Sequence, residues 1–388
     1  MNPAVGEQRR LVLLVSVAIL LDTLFFSVIT PLLPALAHQL KMSKLAAGVL
    51  TGGYPAGMLI ASLPGGALAV RRGPRFTLVA GLALMVISTI GFAFLQTAAA
   101  LDAARFLEGV GGACSWAGGI AWIVAATPAP RRGAVMGQAL GTAIAGSLFG
   151  PAVGALASLT GRGVLFTALA LLALALVVPI LALEQPGESS AQPVSAALGI
   201  LRRPAVAAVI WLMLLPAIVS GLINVLAPLR LHALGAGAGA IGATFLVGAA
   251  LESLVSPLAG RVSDRHGRVL PLRAGCLAVG LALAAFTLPS EAAVLAALVA
   301  LVSMLLGVFW APVMALLSDL AETHALDQAH AAALMNLAWA AGQIAGAVGS
   351  GAVAGSLGDA APTLALAVLC LLTLLVTRGR ALRRPQPA

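Results

Sequence analysis

The sequence predicts an all-α polytopic membrane protein, with twelve transmembrane helices in two pseudo-symmetric six-helix bundles, on three observations. Of the 388 residues, 61% are hydrophobic and 9% charged, with a mean hydropathy of +1.06, which leaves too little polar surface for a water-facing domain. Twelve apolar stretches are each long enough to span hydrocarbon, which takes about 20 residues. Short motifs recur in the same order at nearly one offset, as a duplicated design requires.

In order, the stretches are 11–37, 45–70, 76–97, 103–126, 134–158, 163–183, 205–229, 239–260, 269–288, 292–317, 329–355 and 361–377. The first follows Arg9 and Arg10 and ends in "ALA" (35–37), imitating a cleavable leader. It is too long for a leader's apolar core and contains an acid, Asp22, so it reads as an uncleaved first span. "PALAHQL" (34–40) closes it, and "PLRLHAL" (228–234) closes the seventh stretch at an offset of 194, matching Pro34 to Pro228 and His38 to His232. At that same offset "GALAVRRG" (66–73), between the second and third stretches, faces "GRVSDRHG" (260–267), between the eighth and ninth. The fifth and eleventh align at an offset of 200, which sets Gly146 over Gly346. Between the sixth and seventh lies "EQPGESSAQPVSAALGILRRP" (184–204), rich in Pro, Gly and Ser. It reads as a cytoplasmic linker with a short helix on the membrane surface. The expected organisation is residues 1–184 as one bundle, 185–203 as linker and 204–388 as the second bundle. Two bundles so joined place a substrate site at their interface near mid-membrane, with rocking as the natural motion.

The net charge of +9 does not point to nucleic acid, because the 22 basic residues gather at one set of helix ends. With the N-terminus in the cytoplasm, seventeen of them, from Arg9 to Arg384, fall inside; Lys41, Lys44, Arg162 and Arg230 fall outside, and Arg105 lies within a span. That asymmetry is the positive-inside signal, and it puts both termini in the cytoplasm of what reads as a prokaryotic inner membrane. Cys114, Cys276 and Cys370 all lie in spans without a CxxC pair, so neither a disulfide framework nor a metal site is indicated. No phosphate-cradling loop and no nucleophile with a base at recognisable spacing occurs, so no cofactor and no enzymatic chemistry are expected.

"GRVSDRHGR" (260–268) resembles GxLaDrxGrk, the loop signature of the major facilitator superfamily, which joins the second helix to the third and recurs between the eighth and ninth. Gly260 and Gly267 permit a tight turn, and Asp264 among Arg261, Arg265 and Arg268 can form a charge cluster. The resemblance implies that Asp264 helps latch one arrangement of a transporter. The first copy, with Gly66 and Gly73, departs from the pattern: Val70 takes the acid's place and leaves Arg71, Arg72 and Arg75 without the usual partner. "RFLEGVGGA" (105–113) is similar to the fourth-helix pattern RxxqGxgaa, with Glu108 where Gln is common. "GSLFGPAVG" (146–154) resembles GxxxGPxxG, which in this superfamily marks antiporters. Gly146, Gly150 and Gly154 share a face that admits a close neighbour, while Pro151 bends the span. The resemblance implies a seal against leak; ordinary helix packing describes the same contacts. Asp22 followed by "PLLP" (31–34) resembles the drug:proton antiporter branch, and its position is like that of the acid in vesicular monoamine transporters.

Charge inside hydrocarbon is costly and marks candidate function. Asp22 shares a helix face with Phe25, Phe26 and Ile29, an arrangement suited to a lipophilic cation; a structural, neutral or internally paired acid is the alternative. The fourth span carries Arg105, Glu108, Gly112 and Trp116 on one stripe. Arg105 and Glu108 can pair with each other, or Arg105 can influence the protonation of Asp22 or Glu108. Glu252 is the second bundle's candidate, as a proton or substrate site or as a packing residue. Asn224, Asn336, Trp310, Trp339 and Gln343 are candidates to line a cavity or to bond between helices. Asp319, Glu322 and Asp327 read as solvated at a helix end. These readings converge on a secondary transporter, monomeric by resemblance, that exports a small lipophilic, cationic molecule in exchange for protons. The alternatives are a proton-coupled exporter of a neutral sugar or metabolite and, from another class, a receptor or scaffold.

Overall fold

The computed structural model describes residues 3–128, 131–183, 204–323 and 328–376. Among them are thirteen helices and no strand: α1 (Pro3–Ser27), α2 (Leu33–Gln39), α3 (Lys44–Arg72), α4 (Pro74–Phe94), α5 (Ala98–Ala125), α6 (Arg132–Thr160), α7 (Arg162–Leu181), α8 (Pro204–Ala233), α9 (Ala238–His266), α10 (Val269–Ala284), α11 (Ala292–Thr323), α12 (Gln328–Leu357) and α13 (Ala360–Val376). Twelve are long, from the 16 residues of α10 to the 32 of α11, and α2 has 7. Nine of the described helices are long and apolar enough to cross a membrane, while α10 and α13 are shorter apolar helices. The chain is thus the all-helical, twelve-helix membrane protein that its apolar pattern predicts. The linker 185–203, the arginines at 202, 203, 378, 380, 383 and 384, Asp327 and the side chain of Glu322 lie outside the described residues.

The first span is not the single helix expected over 11–37. Its ladder stops with Val28 N donating to Leu24 O at 2.9 Å, and the chain turns before α2 begins at Leu33. Pro31 has no N–H for the Ser27 carbonyl, while Pro34 sits in the first turn of α2, where no N–H is needed. The counterpart α8 runs on through Pro228 to Ala233. Two of the turns between helices rest on a glycine with positive φ: Gly73, at +89°, joins α3 to α4, and Gly267, at +85°, joins α9 to α10. Gly66 and Gly260 lie inside α3 and α9, so only the second glycine of each loop copy makes the turn.

The chain forms two compact units, one of Met1–Met42, Val49–Ala191 and Ala238–Leu246, the other of Ser43–Gly48, Gln192–Gly237 and Val247–Ala388. In the first, α1 lies in a core with Leu78, Leu82, Met85 and Trp122, and α6 packs against it along a glycine seam. A Cβ on Gly146 would strike the Leu20 carbonyl and Thr23 hydroxyl, one on Gly150 the Leu24 carbonyl and Ser27 hydroxyl, and one on Gly154 the Val28 carbonyl. In the second unit α12 meets α8 in the same manner: Gly342 faces the Leu214 carbonyl and Gly346 that of Ile218. Leu214 and Ile218 lie 194 residues after Leu20 and Leu24. Gly342 therefore answers to Gly146 and Gly346 to Gly150, an offset of 196 that corrects the expected 200 by one helical turn. In this second unit Lys44 Nζ pairs with Asp359 Oδ1 at 2.6 Å and Arg230 reaches Oδ2 at 3.9 Å.

Candidate functional site

Asp22, in the last two turns of α1, is fully buried. Its Oδ2 accepts two hydrogen bonds, from Tyr54 Oη and from Trp116 Nε1, each 2.8 Å long. Among the described residues its Oδ1 has no hydrogen-bond partner. Glycines create the room for this arrangement. A Cβ on Gly57 of α3 would strike the Phe106 carbonyl and one on Gly109 of α5 the Tyr54 carbonyl, so the two backbones touch. That contact brings Tyr54 and Trp116 to the same carboxylate. One turn before Trp116, a Cβ on Gly112 would lie 2.5 Å from Asp22 Oδ1 and 2.8 Å from Tyr54 Oη.

Arg105 and Glu108, 2% and 4% exposed, form an ion pair of 2.5 Å one turn apart on α5. Arg105 also donates from Nη1 to the Phe25 carbonyl at 2.9 Å and from Nη2 to that of Phe26 at 3.1 Å. Its guanidinium carbon lies 5.4 Å from the centroid of the Tyr54 ring. These carbonyls are the next in line where the α1 ladder stops, so Arg105 satisfies acceptors that a helix end leaves bare and sets its charge at the negative pole of α1. Of the two sequence readings, the internal pair is present, joined by a backbone contact to the helix that carries Asp22. The cluster holds one guanidinium and two carboxylates. Arg105 pairs with Glu108, and among the described residues Asp22 makes no ion pair.

The other candidates divide. Phe25 is, like Asp22, fully buried, and it packs in the core of the first unit. Phe26 is half-buried, with its ring centroid 5.1 Å from that of Tyr54. Tyr54 was not among the sequence candidates. Its signal was available, since it is the only tyrosine in the chain and stands in "GGYPAG" (52–57), where small neighbours admit a close helix.

In the second unit Glu252, half-buried on α9, accepts a 2.5 Å bond at Oε1 from Trp310 Nε1 of α11. Asn224 on α8 and Asn336 and Trp339 on α12 are half-buried, and Gln343 Nε2 donates to Ser220 Oγ at 3.1 Å, an interhelical bond. The loop motif is arranged otherwise than expected. Asp264 is exposed and among the described residues forms no ion pair, as do its exposed neighbours Arg261 and Arg265. Arg268, carried past the turn at Gly267, pairs instead with Asp319 on α11 at 2.9 Å, so Asp319 is not merely solvated. In the first copy, where Val70 is exposed, Arg75 donates to the Leu183 carbonyl at 3.0 Å and so caps the end of α7. Among the described residues no group of His, Cys, Asp and Glu could hold a metal.

The family model described as "Major Facilitator Superfamily" matches residues 15–329 and 217–388. A "Probable vesicular acetylcholine transporter-B" of Danio rerio is 33% identical over 190 residues, 46% of this chain and 38% of that protein. The "Synaptic vesicular amine transporter" of Homo sapiens is 40% identical over 111 residues, 28% of this chain and 22% of that protein. The matched segments thus span less than half the length of these relatives. A bacterial homologue of the human lysosomal transporter Spinster, solved in an inward-facing and unoccupied conformation, superposes with a TM-score of 0.83 at 14% identity over 100% of both chains, a likeness of fold.

Proposed function

The chain belongs to the major facilitator superfamily, and from that membership we propose that it is a secondary active transporter exporting a small lipophilic cation in exchange for protons. Asp22 is the coupling acid. One observation carries the reading: a buried carboxylate has both donors on Oδ2 and, among the described residues, no partner at Oδ1. The missing charge is supplied in turn by a proton and by the cargo. Tyr54 and Trp116 bond the carboxylate and the Phe26 ring packs against Tyr54, aromatic surroundings that suit an ammonium on an apolar body. Arg105 and Glu108 position α1 and set the local field. The names of the two vesicular relatives, acetylcholine and amine transporters, support a cationic cargo.

The distribution of arginines supports a cell-membrane protein with both termini in the cytoplasm. In that orientation, protonation from outside releases the cargo and deprotonation towards the cytoplasm restores affinity, with the bundles of a monomer rocking between. The seam of Gly146, Gly150 and Gly154 with Pro151 and the loops at Gly73 and Gly267 are the mechanical parts of that motion.

The test is exchange by the full chain in liposomes carrying a pH gradient, with tetraphenylphosphonium as the cation. Wild type and Asp22→Glu exchange it for protons and Asp22→Asn does not. Proton-coupled exchange by Asp22→Asn removes the assignment. Exchange of a neutral hexose with no exchange of the cation favours export of a neutral metabolite.

A further inference from the structure

We propose that Glu252, held by the indole of Trp310, is a second proton-binding carboxylate, separate from Asp22. The two tryptophans that hold the acids stand in equivalent places: Trp310 lies 194 residues after Trp116, the spacing that relates the two halves. The acids do not. That spacing carries Asp22 onto Pro216 and traces Glu252 back to Met58. Glu252 is therefore not the repeat of Asp22. An acid on a different helix meets the equivalent indole, and this pairing needs its own account.

The surroundings point to a proton. The helix seen in contact with this turn of α9 is α11, and it presents Trp310, Gly307 and, one turn away, Ser303, none of them charged. A Cβ on Gly307 would lie 2.6 Å from the Glu252 carbonyl, and one on Gly248 would lie 2.9 Å from Ser303 Oγ. Backbones this close leave no room on that side for a bulky cation. On α9 the nearest charged group is Arg261, nine residues on and exposed; on α11 it is Asp319, nine residues beyond Trp310 and engaged by Arg268. Among the described residues no cation pairs with Glu252, and a proton is the positive charge that needs no room on this packed side. Oε1 accepts the indole N–H, and Oε2 gains or loses the proton, with no other bond made or broken.

One consequence rests on the transport reading. With Asp22 and Glu252 both cycling, two protons exchange for one monovalent cation, and each turnover moves net charge across the membrane.

Infrared spectroscopy of the full chain in lipid decides the site without reference to transport. Wild type shows a neutral carboxylic C=O band that is lost in Glu252→Gln and retained in Asp22→Asn. Trp310→Phe keeps that band but moves it to higher frequency, because the carbonyl loses its donor. A spectrum unchanged by Glu252→Gln, in protein that melts as wild type, overturns the proposal; Glu252→Asp, which keeps the acid, guards against misfolding of the glutamine variant by restoring a band. In liposomes, Glu252→Gln halves the number of protons exchanged per tetraphenylphosphonium and abolishes the dependence on membrane potential. Absence of any exchange by wild type defeats the transport reading while the infrared band still judges Glu252.

Discussion

A methyl group at position 112 would lie 2.5 Å from Asp22 Oδ1, on the side of the carboxylate that no protein donor occupies. Gly112→Ala should therefore abolish cation–proton exchange while lowering stability by only about 1–3 kcal/mol, the usual range for overpacking; exchange assays and thermal melts in detergent check the two halves of that statement. Arg105→Lys tests the backbone clamp. An ammonium is a point charge without the planar fork, so it cannot serve Glu108 and both carbonyls in the same geometry, and one bare carbonyl costs about 1–3 kcal/mol. The expected result is a lower melting temperature even though the charge is kept. At this scale the sequence was informative where charge made a residue conspicuous: Asp22, Arg105 and Glu108 announce themselves because hydrocarbon tolerates so few charges. Tyr54 is easy to pass over, although it is the single tyrosine, because an aromatic residue in an apolar run has an ordinary packing role and the contact of α3 with α5 is what makes its hydroxyl matter.

The glycine seams give a sharper test at the level of helices. Gly146→Ala on α6 and Gly342→Ala on α12 would each drive a methyl into a carbonyl of the facing helix, and each should destabilise by about 1–3 kcal/mol. Gly349 on α12 meets nothing within 4 Å; Gly349→Ala should be neutral or stabilising by up to about 1 kcal/mol, from helix propensity alone. Thermal unfolding of the three variants also checks the register, since a clash at Gly342 equal to that at Gly146 is what the offset of 196 requires. The expected offset of 200 was wrong for a physical reason. Small residues four apart look the same after a slip of one turn, and only the facing backbone removes the ambiguity. The break after Ser27 was half legible: Pro31 and Pro34 were visible, but many helices here tolerate an internal proline, among them α3, α8 and α11, so proline alone did not locate it.

For the molecule as a whole the apolar pattern was enough to give the fold, because crossing a bilayer leaves few choices for the backbone. The sidedness proposed from arginine distribution can be measured. Cys114, Cys276 and Cys370 are all buried, so labelling of added cysteines by a membrane-impermeant maleimide has low background. Lys41→Cys and Glu291→Cys should react from outside intact cells, and Arg71→Cys and Arg265→Cys only after the membrane is opened; the reverse pattern would invert the proposed topology. The clamp on α1 also bears on how such a chain is made. The Phe25 and Phe26 carbonyls leave the ribosome about 80 residues before the guanidinium that satisfies them. Until α5 enters the membrane the end of α1 carries acceptors that lipid cannot serve, so the first helix to be synthesised cannot be the first to be finished.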